Sequence, residues 1–146
     1  MANGGQKILE ASKRGDTGEV ERLIREGEDV NRKDDHGFSP IHWAARNGHT
    51  DTVELLLDRG ANIEEKTDRG YAPIHWAAGN GNADIVELLL DRGANIDVKD
   101  NRGYTPVHRA AEGRLPGVVE LLLERGADPY ITNKEGKTAR DVDRTG

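Results

Sequence analysis

A glycine every 33 residues constrains this chain more than any other feature. Gly37, Gly70, Gly103 and Gly136 keep that step, as do Pro40, Pro73 and Pro106, His42, His75 and His108, and the leucine triplets 55–57, 88–90 and 121–123. Segments 34–66 and 67–99 are identical at 23 of 33 positions, so one local structure must serve both. Self-similarity at a fixed period of this size marks units that cannot bury their apolar faces alone and therefore stack. Composition points the same way: hydrophobic residues make up 34% of the 146 and charged residues 33%, too little apolar surface for one round core.

Each unit reads as a turn followed by two helices. In Asp100-Asn101-Arg102-Gly103 the glycine supplies the positive φ of a tight reversal, and Asp and Asn tolerate it. Thr105 can cap the first helix, Pro106 suits its first position, and the pair Ala110-Ala111 permits close approach. That helix is short and ends near Asn47-Gly48 and Asn80-Gly81. The second begins around Asp51 or Asp84, carries Val53, Leu56 and Leu57 as one stripe, and stops at Arg59-Gly60, Arg92-Gly93 and Arg125-Gly126.

Gly103-Tyr-Thr-Pro-Val-His-Arg-Ala-Ala111, followed by a Val and Leu helix and Gly-Ala, resembles the ankyrin repeat. The resemblance implies an all-α solenoid of helix-turn-helix units joined by β-hairpin loops, with hairpin tips and first helices forming a concave binding groove. In that phase the units run 1–33 (an N-terminal cap), 34–66, 67–99, 100–132 and a partial unit 133–146. Lys7-Ile8-Leu9-Glu10-Ala11 gives the cap a polar start. The fifth unit opens with Gly136-Lys-Thr-Ala-Arg-Asp-Val142, and the early stop reads as a fragment or trimmed chain. Val119 and Leu122 are then expected to be partly uncovered and the end to fray.

Two internal departures stand out. Ala72 replaces the hydroxyl of Ser39 and Thr105, which should weaken one cap. Arg114-Leu115-Pro116-Gly117 replaces the glycine and acid of the other connectors, so this turn is expected to be reshaped.

Catalytic and metal chemistry find little support. There is no cysteine, Ser12 and Ser39 are the only serines, and Gly79-Asn80-Gly81 lacks the lysine and preceding strand of a phosphate loop. Helices of neighbouring units pack about 8–10 Å apart, so His42, His75 and His108 cannot share one zinc ion. The resemblance instead implies that they bond loop backbone, and no enzyme activity, metal or cofactor is expected. His36 and His49 read as loop residues, and Trp43 and Trp76 as packing between helices. Without a leader or an apolar span, a cytoplasmic or nuclear setting and a monomer are expected.

Sorting residues by their place in the unit separates two surfaces that the net charge of -6 conceals. Glu54 with Asp58, Glu87 with Asp91 and Glu120 with Glu124 make the second-helix exterior acidic and solvated. The hairpins show the opposite sign: Lys33, Lys66 and Lys99 before the tip, His36, Arg69 and Arg102 at it, Phe38, Tyr71 and Tyr104 after it. With Arg46 and Arg109 from the first helices, these residues form the candidate face for a protein partner bearing acidic groups. Two other readings stay open: a consensus-like or engineered scaffold with no natural ligand, and an oligonucleotide stacked on the same ridge, which the net charge disfavours. The setting of Asn31 also resembles that of ankyrin asparagines hydroxylated by oxygen-dependent enzymes.

Overall fold

The computed structural model describes residues 4–143; positions 1–3 and 144–146 of the end units lie outside the described residues. Nine helices occur among them: α1 (Gly4–Arg14), α2 (Thr17–Arg25), α3 (Pro40–Arg46), α4 (Thr50–Asp58), α5 (Pro73–Gly79), α6 (Ala83–Asp91), α7 (Pro106–Glu112), α8 (Pro116–Glu124) and α9 (Ala139–Asp143). Odd-numbered helices pack on one another in series and make one layer; α2, α4, α6 and α8 make the second. The chain is therefore an all-helical solenoid. Ile41, Ile74 and Val107 from the first layer meet Leu56, Leu89 and Leu122 from the second in one continuous core.

Hairpin loops are present as tight turns without strands among the described residues. Asp34 N–H bonds to Phe38 O at 2.9 Å, and the same bond recurs at Thr67–Tyr71, Asp100–Tyr104 and Asn133–Lys137. The glycine at each tip is forced by its neighbour: Gly37 and Gly70 have φ of 81° and 83°. A Cβ on Gly37 would stand 2.8 Å from the backbone nitrogen of Asp68. That close approach lets Asp68 N–H reach His36 O at 3.1 Å, and Asn101 and Lys134 repeat the bond to Arg69 and Arg102.

Two expectations need correction. Leu122 is fully buried, like its equivalents Leu56 and Leu89; Val119 is the half-buried residue, although its equivalents Val53 and Val86 are fully covered. α4 and α6 have a second-layer helix on each side, whereas α8 has one only on the α6 side among the described residues. The fourth connector is also not reshaped. Arg114 N–H bonds to Ala111 O and Leu115 N–H to Ala110 O, as Gly81 and Asn82 bond to Ala78 and Ala77. Packing of α7 and α8 against the preceding unit imposes this path, and Arg114 is held at φ 57° where Gly48 and Gly81 take 80° and 78°. A left-handed conformation is costly for a residue with a Cβ. Arg114→Gly is therefore expected to stabilise the chain by about 1 kcal/mol, read as a rise of a few degrees in the thermal melt followed by circular dichroism.

Candidate binding site on the first-helix face

The face is held in place by the histidine row. His42 Nδ1 accepts Ser39 N–H at 3.0 Å and the Ser39 hydroxyl at 2.9 Å, while Nε2–H donates to Glu65 O and Tyr71 O at 2.7 and 3.0 Å. His75 joins Ala72 N–H to Tyr104 O, and His108 joins Thr105 N–H to Lys137 O. One neutral imidazole thus caps its own helix and anchors the next unit's loop. At the internal helices the cap is chiefly the imidazole; the hydroxyl expected to serve as cap accepts a helical N–H at Thr105, at 3.4 Å, and at its equivalent Thr138, at 3.3 Å. Burial holds His42 and His75 below the ordinary histidine pKa. No grouping of His, Cys, Asp or Glu suited to a metal occurs among the described residues.

The candidate cations differ in how free they are. Lys33 pairs with Glu65 and Arg102 with Glu135. Lys66 Nζ donates to Lys99 O at 3.0 Å, spanning the ridge to the next unit. Arg109 is bound by Asp100 at 2.6 Å and Glu112 at 2.8 Å and touches Tyr71 Oη at 3.3 Å. Burial opposes its charge, but Asp100 outweighs that and holds the guanidinium more firmly protonated than usual. Arg46, Arg69 and Lys99 have no ion pair among the described residues, and His36 is exposed at its tip.

The aromatics also divide. Phe38 and Tyr71 are half-buried, whereas Tyr104 is only 4% exposed, under the Arg109 guanidinium 4.0 Å from its ring centroid. Tyr104 is therefore a packing residue and offers no contact surface. Trp43 and Trp76, expected between helices, are both half-exposed, Trp76 packing against the core, and the Phe38 ring lies 4.6 and 5.4 Å from their centroids. Arg46 lies 5.2 Å from both indoles and Lys13 lies 4.4 Å over Trp43. These two tryptophans and Lys13 adjoin the candidate residue Arg46 on this face and were not among the candidates that sorting by sequence picked out.

Their placement has a legible cause. Trp43 Nε1–H donates to Asp34 Oδ2 at 3.0 Å, and Arg109 Nε–H donates to Asp100 Oδ2 at 3.1 Å. Both pairs are nine residues apart. The third unit has Thr67 in place of that acid, and Trp76 Nε1 is buried without an acceptor.

A family model described as ankyrin repeats (3 copies) matches residues 6–67 and 59–133. The chain belongs to the ankyrin repeat family. Ankyrin repeats generally mediate protein–protein interaction, and the family is typically non-enzymatic. A 40-residue stretch of this ankyrin chain is 40% identical to "Protein VAPYRIN-LIKE" of Medicago truncatula, spanning 27% of the chain and 9% of that protein. Among the described residues no helix is long and apolar enough to cross a membrane.

Two outcomes follow for the repeat framework. Thr67 Oγ1 already accepts the turn N–H of Tyr71 at 3.2 Å; Thr67→Asp keeps that acceptor, adds the indole acceptor that Asp34 gives Trp43, and should stabilise the chain by about 1 kcal/mol in urea denaturation. Because the folded pKa of His42 and His75 lies below the unfolded value, the unfolded chain takes up protons first. Stability is complete above about pH 6.5 and falls as pH drops through the folded values. Urea midpoints measured downward from neutral pH should show that decline, and His42→Gln should shallow it.

Proposed function

We propose that this ankyrin domain is a non-enzymatic protein-binding module whose first-helix face grips a partner segment carrying carboxylates. The observation that carries the reading is Arg46, an exposed guanidinium between two half-exposed indoles with no carboxylate paired to it. A guanidinium on aromatic faces is only weakly hydrated and keeps its bidentate donors, so a partner carboxylate meets it at low desolvation cost.

The equivalent positions along this face are Lys13, Arg46, Gly79 and Glu112, so the sign of the field reverses from the first unit to the fourth. Arg69 adds positive charge near the middle, while Asp100, Glu112 and Glu135 neutralise Arg109 and Arg102 beyond it. The acidic part of the segment therefore lies over units one to three, and its remainder over the neutral or negative part. The same carboxylates oppose a uniformly charged phosphate backbone, which favours a protein segment over an oligonucleotide.

Arg46→Glu with Arg69→Glu tests the assignment, because both side chains are exposed and the core is untouched. Affinity capture from the native host, read by mass spectrometry, should lose its specific protein at least tenfold relative to wild type. The thermal melt should stay within a few degrees. Equal capture by the double variant sinks the reading, and the absence of any saturable protein favours a scaffold without a natural ligand.

A further inference from the structure

We propose that a slot inside the stack, between the third and fourth units, takes an uncharged apolar side chain of leucine size from the partner segment whose carboxylates meet Arg46. The identity of that segment rests on the function proposed above. The slot holds about 210 Å³ between α5 and α7, and Tyr71, Trp76, Gly79, Arg109, Glu112 and Gly113 line it. That volume is below the range of small-molecule pockets and suits a single side chain.

Two missing side chains make the slot. At the two preceding junctions a long cation crosses onto the next unit's indole: Lys13 Nζ lies 4.4 Å from the Trp43 centroid, and the Arg46 guanidinium 5.2 Å from that of Trp76. Gly79 holds the same position in the third unit and sends nothing across. A Cβ added to it would meet only Arg109 Cβ, at 3.6 Å, an ordinary contact. Gly113 is the second departure. Asn47 Nδ2–H donates to Lys13 O at 3.1 Å and Asn80 Nδ2–H to Arg46 O at 2.8 Å, a tie from each unit to the one before. Gly113 stands in their position and has no carboxamide to repeat it to Gly79 O.

The chemistry of the walls selects the occupant. Arg109 is already bound by Asp100, Glu112 and Tyr71 Oη, and both His75 nitrogens are bound to backbone. The charges around the slot balance, Arg46 and Arg109 against Asp100 and Glu112. A further cation would stand against two guanidinium groups, and a carboxylate would compete with Asp100 and Glu112 for Arg109. An uncharged side chain covers the Tyr71 and Trp76 rings without breaking a pair, and the apolar area it buries favours binding. Its place in the segment follows from the repeat. Neighbouring helices pack about 8–10 Å apart and an extended chain advances about 3.3 Å per residue. The apolar residue therefore stands about three positions from a carboxylate held by Arg46.

The probes are short peptides with two glutamates, a glycine spacer and, about three positions from the nearer glutamate, leucine, alanine or lysine, each made in both chain orders. Binding to the whole chain is followed by nuclear magnetic resonance at the Trp76 indole N–H and the Gly79 and Gly113 amides. The leucine peptide should saturate with a Kd below about 1 mM and bind at least about fivefold more tightly than the alanine or lysine peptide. Gly79 is helical, so Gly79→Leu fills the slot from within and should not lower the thermal melt. It should abolish the leucine preference, and Gly79→Ala should reduce it part-way. Equal binding of leucine and alanine, a preference for lysine, a preference that survives Gly79→Leu, or no saturation by about 1 mM overturns the slot. Arg46→Glu with Arg69→Glu should weaken all three peptides and leave the leucine preference intact. Affinity indifferent to that reversal, with the preference kept, counts against the Arg46 reading alone. A loss on reversal without any leucine preference counts against the slot alone.

Discussion

The second, third and fourth units of the stack each depend on an imidazole that faces two ways. Nδ1 of His42, His75 and His108 takes the N–H that opens its own first helix, and Nε2–H holds a loop carbonyl 23 to 29 residues further along. Only the neutral ring offers one acceptor and one donor in that arrangement, because protonation would turn Nδ1 into a second donor facing a backbone N–H. The third unit shows which part of the cap matters. Ala72 has no hydroxyl, yet its N–H still reaches His75 Nδ1 at 3.0 Å and α5 begins at the same place in the repeat. The local start of a helix and the docking of the next unit are therefore one interaction, which couples neighbours in a one-dimensional array.

Equal spacing also decides where function can lie. Side chains repeated every 33 residues form rows along the stack, and members of a row stay a helix-packing distance apart, too far to share one reacting atom. The informative residues are those that break a row. Lys13, Arg46, Gly79 and Glu112 occupy one position with four different chemistries, and Trp43, Trp76 and Arg109 occupy another with two. Because the framework at these positions is the same, the differences translate directly into a surface that changes from cationic and aromatic to acidic along its length.

Much of the architecture was legible in the repeat itself. Helix starts at Pro40, Pro73 and Pro106 and stops at Arg59, Arg92 and Arg125 follow from proline, glycine and charge acting locally. What escaped were pairings between units. Lys33 with Glu65 and Arg102 with Glu135 are 32 and 33 residues apart, so the cations are neutralised only once neighbours are stacked. Tyr104 reads as an exposed ridge aromatic, yet Arg109 closes over it because Asp100 draws the guanidinium down. Trp76 packs against the core as expected, whereas Trp43 departs from that place for a related reason. Resemblance puts an apolar core residue at their position, but the acid nine residues earlier pulls the Trp43 indole toward the loop, and the Asp34–Trp43 and Asp100–Arg109 spacings were the signal available in the sequence.

Binding on the first-helix face acts on the array as a whole. A segment lying along the first helices touches several units, and in an array whose stability sums intrinsic and neighbour contributions its effect on stability is shared across the stack. The imidazole bridges and the backbone bonds between successive hairpins, Asp68 to His36, Asn101 to Arg69 and Lys134 to Arg102, carry that effect from one unit to the next.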